Sequence, residues 1–235
     1  MVLNMNTLVI SCMDRRLNTL IEKDYPESII IRNAGANVNP VIGEIKDIMQ
    51  DKDIRKIIVA THTDCGAMKK VYNVINKSDS ATEDLEQNLI SLFRGMKFKD
   101  INELEKLNLE MQVDKLKNEF PDLEIIGKMI NTSEIKGDKE FKNHGLIIMN
   151  PSKPDYAGLL KDLKANPFEM YIIQSDFEEA IADIQLAAND LKTNPIHIVT
   201  IDKENPRESK KNSERLKMLL HKNDISSYIY KNKSK

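Results

Sequence analysis

Cysteine is scarce: the 235 residues hold only two, which excludes a disulfide-stapled scaffold. No apolar run approaches the ~18–20 residues of a membrane-spanning helix, which excludes an integral membrane protein of that kind. An excess of one charge is missing as well. Lys plus Arg is 35 and Asp plus Glu is 37, a formal net charge of -2, which argues against a dedicated nucleic-acid binder. The first residues carry no basic segment ahead of an apolar stretch, so no secretory leader is expected and the location expected is cytoplasmic. No internal repeat and no low-complexity tract is visible. What is present suffices for a folded core, with 40% hydrophobic and 31% charged residues over a length of one to two domains of ~100–200 residues each.

The hydrophobic pattern predicts an α/β fold with a mainly parallel sheet flanked by helices. Apolar runs at Thr7–Ser11, Ser28–Arg32 and Lys56–Thr61 read as strands, separated by helical stretches. One stretch carries Leu17, Leu20 and Ile21, and another opens at Pro40 and carries Val41, Ile45 and Ile48. Residues 76 to 120 are polar and read as helices, with one apolar stripe at Leu85, Leu89, Leu92 and Phe93 and a looser one at Leu104, Leu107, Met111, Leu116 and Phe120. A short strand is expected at Leu123–Ile126 and a better one at His144–Met149. The Asn150–Pro154 stretch reads as a turn. Beyond it the alternation resumes, with strands at Met170–Ile173, Pro195–Ile201 and Ser227–Tyr230. A helix through Ala180 to Leu191 is capped at Ser175 or Asp176, and another runs from Ser213 to Lys222. The division expected is 1–150 and a C-terminal α/β extension, 151–235, which either joins the first sheet or forms a layer of its own.

Both cysteines follow strands, and one has a histidine at metal-ligand spacing. Cys12 follows the first strand, His62 follows the third, and Cys65 lies three residues on. Ligand sites of open α/β sheets lie beyond the carboxyl ends of strands, so the three converge if their strands are neighbours. Two thiolates and an imidazole suit Zn²⁺, and three protein ligands leave the fourth position that catalytic zinc requires. Asp14 either completes the coordination or is held by Arg16 and accepts a hydrogen bond from metal-bound water. Helix-start electrostatics would account for Asp14 but not for Arg16.

Cys12-Met13-Asp14-Arg15-Arg16 resembles the Cys-x-Asp-x-Arg motif of the β-class carbonic anhydrases, and His62-Thr63-Asp64-Cys65-Gly66 resembles their His-x-x-Cys-Gly motif. Arg32-Asn33-Ala34-Gly35-Ala36 is similar to their Asn-Ala-Gly segment, and His144-Gly145 to their late His-Gly strand. The resemblance implies zinc held by Cys12, His62 and Cys65, with Asp14 as fourth ligand or paired with Arg16. It implies a pocket lined by Asn33, Ala34, Gly35, Ala36, Gly66 and a partner subunit, in a homodimer or higher oligomer. The activity implied is reversible hydration of CO₂ to bicarbonate by a zinc-bound hydroxide.

Arg15 stands where the motif usually has a small Ser, and nothing of the family is recognised after about residue 150. Three other readings compete: a carbonyl sulfide or carbon disulfide hydrolase, a zinc-binding homologue without turnover, and a Cys12–Cys65 redox pair. The remaining histidines, His144, His197 and His221, read as structural or surface groups. Asp64 suits either a proton relay or loop geometry. The mixed charges of residues 203–222 read as a solvated face, and Lys231–Lys235 as a frayed end.

Overall fold

A computed structural model describes residues 6–26, 28–135, 146–149, 170–174, 176–201, 206–220 and 224–230. His144, the turn expected at 150–154, Ser175, His221 and the end at 231–235 lie outside them. Strand β1 (Thr7–Cys12) is buried along its whole length, because its apolar run serves both faces of the sheet. Leu8 and Ile10 join one core with Ile29, Ile31, Ile57 and Val59. Val9 joins the other with Ile30, Ile58 and Ala60. Period-two alternation across a doubly covered sheet produces this division. Burying each such side chain contributes roughly 1.5–3 kcal/mol.

Strands β2 (Ile29–Asn33), β3 (Lys56–His62) and β4 (Glu124–Ile130) build outward from β1 in the order β4-β3-β1-β2, all parallel. The sheet continues past β2 through β6 (Met170–Ile173), β5 (Leu146–Met149), β7 (Ile196–Ile201) and β8 (Ile225–Tyr230). These four are parallel among themselves. The one antiparallel junction is β2 with β6, where Arg32 pairs with Ile173. The extension thus joins the first sheet, one of the two arrangements the sequence left open.

Helix α1 (Asn18–Asp24) follows a 3₁₀ turn after β1, and α2 (Ile42–Asp51) follows a 3₁₀ turn containing Pro40. Helix α3 (Gly66–Asn76) follows β3, and α4 (Glu83–Asn88) and α5 (Ile101–Glu119) occupy the polar middle region expected to be helical. In the C-terminal part α6 (Phe177–Gln185) is capped by the Asp176 side chain, and α7 spans Pro206–Leu220. Among the described residues no helix is long and apolar enough to cross a membrane.

Strand β4 is longer than the expected Leu123–Ile126. Gly127, a weak strand former, sits inside it because α5 packs closely there: a Cβ at this position would lie 2.9 Å from Val113 Cγ2. The close approach, not local propensity, decides the residue.

Candidate metal centre

The parallel pairing of β1 with β3 brings their carboxyl ends side by side. Cys12 closes β1, His62 closes β3, and Cys65 caps α3. The two sulfurs lie 3.9 Å apart. The donor atoms of Cys12, His62 and Cys65 all fall within 4.8 Å of one another, and all three residues are buried. The His62 ring is oriented by its Nδ1, 2.9 Å from the Thr63 carbonyl oxygen. That bond places an N–H on Nδ1 and leaves Nε2 facing the cluster, beside Asp14. Nε2 is buried and has no hydrogen-bond partner.

The electrostatics collect negative charge at this point. A hydrogen bond from Cys65 holds the Cys12 pKa well below that of an ordinary thiol, and the same bond, with burial, pushes Cys65 well above it. Burial pushes His62 down, but the charges on Cys12 and Asp14 outweigh it and raise its pKa to about 9. A buried cluster that draws protons this way would draw a cation in their place. Two sulfurs, one imidazole with an unused nitrogen, and contact spacing fit a soft-to-borderline divalent metal such as zinc.

Asp14 does two jobs at once. Its side chain caps the 3₁₀ turn by accepting from Arg16 N, and it accepts from Arg16 Nε at 3.0 Å and Nη2 at 2.7 Å. Arg16 is fixed in turn by Asp64, through its carboxylate at 2.8 Å and its backbone oxygen at 2.9 Å. Burial raises the Asp14 pKa, yet the Arg16 contacts and the His62 charge outweigh it and hold the carboxyl at about 2. Asp14 Oδ2 stands 3.9 Å from His62 Nε2, beside the cluster. Asp64 has φ 60 and spends its carboxylate on Arg16 and Lys69, the loop-geometry role.

The Asn33–Ala36 segment forms a tight turn next to Cys12. Gly35 adopts φ 69, a conformation strained for other residues, and a Cβ there would press on the end of Met68, 2.9 Å from its Cε. A buried polar row on α5 fixes this turn and Cys65. Cys65 N–H donates to Glu105 Oε1 at 2.8 Å, Asn108 Nδ2 to the Gly35 oxygen at 2.8 Å, and Val38 N–H to Gln112 Oε1 at 2.9 Å. Sequence reading missed these residues, although positions 105, 108 and 112 share one helix face. Replacing Glu105 by alanine strands the buried Cys65 N–H and is expected to cost about 1–3 kcal/mol. Urea midpoints of the Ala and Gln variants test this: an Ala variant as stable as the parent refutes the anchoring role.

Asp183 of α6, also unforeseen, reaches the same turn. Its buried carboxyl lies near the Ala34 N–H, and Gln174 Nε2 donates to its Oδ2 at 2.6 Å. Burial outweighs both donors and holds its pKa up at about 7. The folded protein therefore keeps this proton where the unfolded chain has lost it. Stability is expected to fall as pH rises from about 4 to about 7, by about 4 kcal/mol in all. Asp183→Asn should flatten that part of the profile. Equal parent and variant differences between urea midpoints at pH 5 and pH 8 would contradict it.

A family model described as carbonic anhydrase matches residues 7–124. Among solved structures, the carbonic anhydrase from Glaciozyma antarctica is similar at 21% identity and a TM-score of 0.38, over 56% of this chain and 79% of that one. No curated protein matches the sequence.

Proposed function

Because the chain belongs to the β-class carbonic anhydrase family, we propose that Cys12, His62 and Cys65 hold a zinc ion at which CO₂ is hydrated to bicarbonate. The observation that carries this reading is the convergence of three buried donors within 4.8 Å, while Arg16 keeps Asp14 beside them as an ionised acceptor. Zinc bound there supplies Lewis acidity, which lowers the pKa of water from 15.7 to about 7.

The chain's own residues do the rest. His62 binds through Nε2, its ring set by the Thr63 oxygen. Asp14, ionised and pinned by Arg16, only accepts hydrogen bonds. It orients the attacking water so that an oxygen lone pair faces the CO₂ carbon. Hydration forms one carbon–oxygen bond and releases one proton, which passes to solvent buffer. The turn at Asn33, Ala34, Gly35 and Ala36 and the start of α3 at Gly66 wall the substrate space. The Asp14–Arg16 pairing favours an open fourth position over coordination by Asp14.

Stopped-flow CO₂ hydration at about pH 8.5, above the pKa near 7 given for such water, tests the reading on protein with one zinc per chain. Zinc-dependent hydration is expected. No hydration at full zinc occupancy rejects it.

A further inference from the structure

The strand order β4-β3-β1-β2-β6-β5-β7-β8 reads the same from either end of the sheet. Each set of four strands runs in the spatial order second, first, third, fourth. The two sets are joined antiparallel through their second strands, β2 and β6. Strand order and direction therefore have two-fold symmetry about that junction, which is how two separate copies join through one edge strand in an isologous pair.

The register carries the correspondence across the sheet. Arg32 and Ile173 pair at the junction, and centring the symmetry on that pair makes each the other's counterpart. Arg32 is level with Ser11, Ser11 with Ala60, and Ala60 with Lys128. On the other side Ile173 is level with Met149. Ile148 pairs with Ile198, which sets Met149 level with Val199, and Val199 pairs with Tyr228. One step past Ser11 is Cys12, and one step past Met149 is Asn150. Two steps past Ala60 is His62, and two past Val199 is Ile201. The second half contains no cysteine, so it has nothing with which to repeat the cluster.

This second half touches a residue next to each turn that forms the metal site. Tyr171 N–H donates to the Met13 oxygen at 3.3 Å, one residue after Cys12. Asp183, buried on α6 and held by Gln174 Nε2 at 2.6 Å, lies near the Ala34 N–H. Leu191 fills the space over Gly66, where a Cβ would lie 2.9 Å from its Cδ2. Polar ties surround these contacts: Gln185 donates to Asp84 at 2.8 Å, and the nearly buried Lys70 pairs with Asp190 at 2.7 Å.

We infer that strands β5 to β8 are a second copy of the strand arrangement of the first half without its cysteines, that with α6 they act as its built-in partner subunit, and that Asp183 and Leu191 are positioning residues for the metal site. This rests on the proposed function only where zinc and CO₂ enter. Native mass spectrometry of the zinc-loaded full chain is expected to show one chain of 26.9 kDa with one zinc. A species of two chains means that a separate partner is still needed and overturns the inference. In the second arm Asp183→Ala, with one cobalt(II) per chain, is expected to shift the visible bands of the metal and, with zinc, to lower kcat/KM about tenfold. Asp183→Asn, which keeps the size of the side chain and an oxygen for Gln174, should restore both. Leu191→Ala reads the same effect from the Gly66 side should the Asp183→Ala chain not fold. Unchanged spectra and kcat/KM in the folded variants overturn the positioning role. A parent chain that takes up no metal rejects the proposed function, while the mass of the chain still decides the built-in partner.

Discussion

Replacing Cys65 by alanine is expected to abolish metal binding and lower CO₂ hydration at least a hundredfold, beyond the roughly ten- to hundredfold typical for loss of an outer partner of a metal ligand. The cluster offers three donors, so one loss leaves two, and Asp14 is committed to Arg16 by two side-chain hydrogen bonds. The fold should survive. Cys65 N–H remains bonded to Glu105, and exchanging one small buried side chain for another costs at most about 1.5 kcal/mol. Zinc per chain and the stopped-flow rate are the readouts, with the urea midpoint as control. Full zinc content and full rate in the variant would show that the ligands lie elsewhere.

Replacing Arg32 by methionine is expected to cost about 3–5 kcal/mol of stability. Arg32 is 1% exposed, and its guanidinium has no task at the surface. It donates to the Cys12 oxygen at 3.1 and 2.9 Å, to the Asp14 oxygen at 2.8 Å and to Asn18 Oδ1 at 2.5 Å. It also lies 5.6 Å from the centre of the Tyr171 ring. Two effects oppose each other. Removing a buried charge relieves its desolvation, while three acceptors lose their donors at about 1–3 kcal/mol each. The acceptors win because two are backbone carbonyls that the mutation cannot remove. Lysine should recover less than half, since a point charge does not reproduce the planar fork. Urea unfolding with an unchanged slope measures this. A loss below about 1 kcal/mol would show that relief of the buried charge wins.

The strands of the first half were legible because each is a short apolar run between breakers, and burial on both faces requires that pattern. The cluster was legible because thiol and imidazole are rare and their chemistry is narrow. The α5 row was not legible. Glu105, Asn108 and Gln112 are buried to satisfy backbone groups of distant turns, and a search for apolar periodicity passes over buried polar residues. The relation between the halves was hidden for another reason. Strand order and register are set by pairing, which many apolar sequences satisfy, and no spacing in the sequence announces it. Asp14 caps the turn and grips Arg16 with one carboxylate, so the helix-start reading and the pairing with Arg16 do not compete.

The junction of β2 with β6 also fixes how the site responds to scarcity. Two separate chains meet at a rate set by their concentration and part when the cell makes few of them. Two halves on one chain meet at an effective concentration fixed by their covalent connection, whatever the number of molecules. The wall that the second half supplies to Met13, Ala34 and Gly66 is therefore present at any copy number, down to a single molecule.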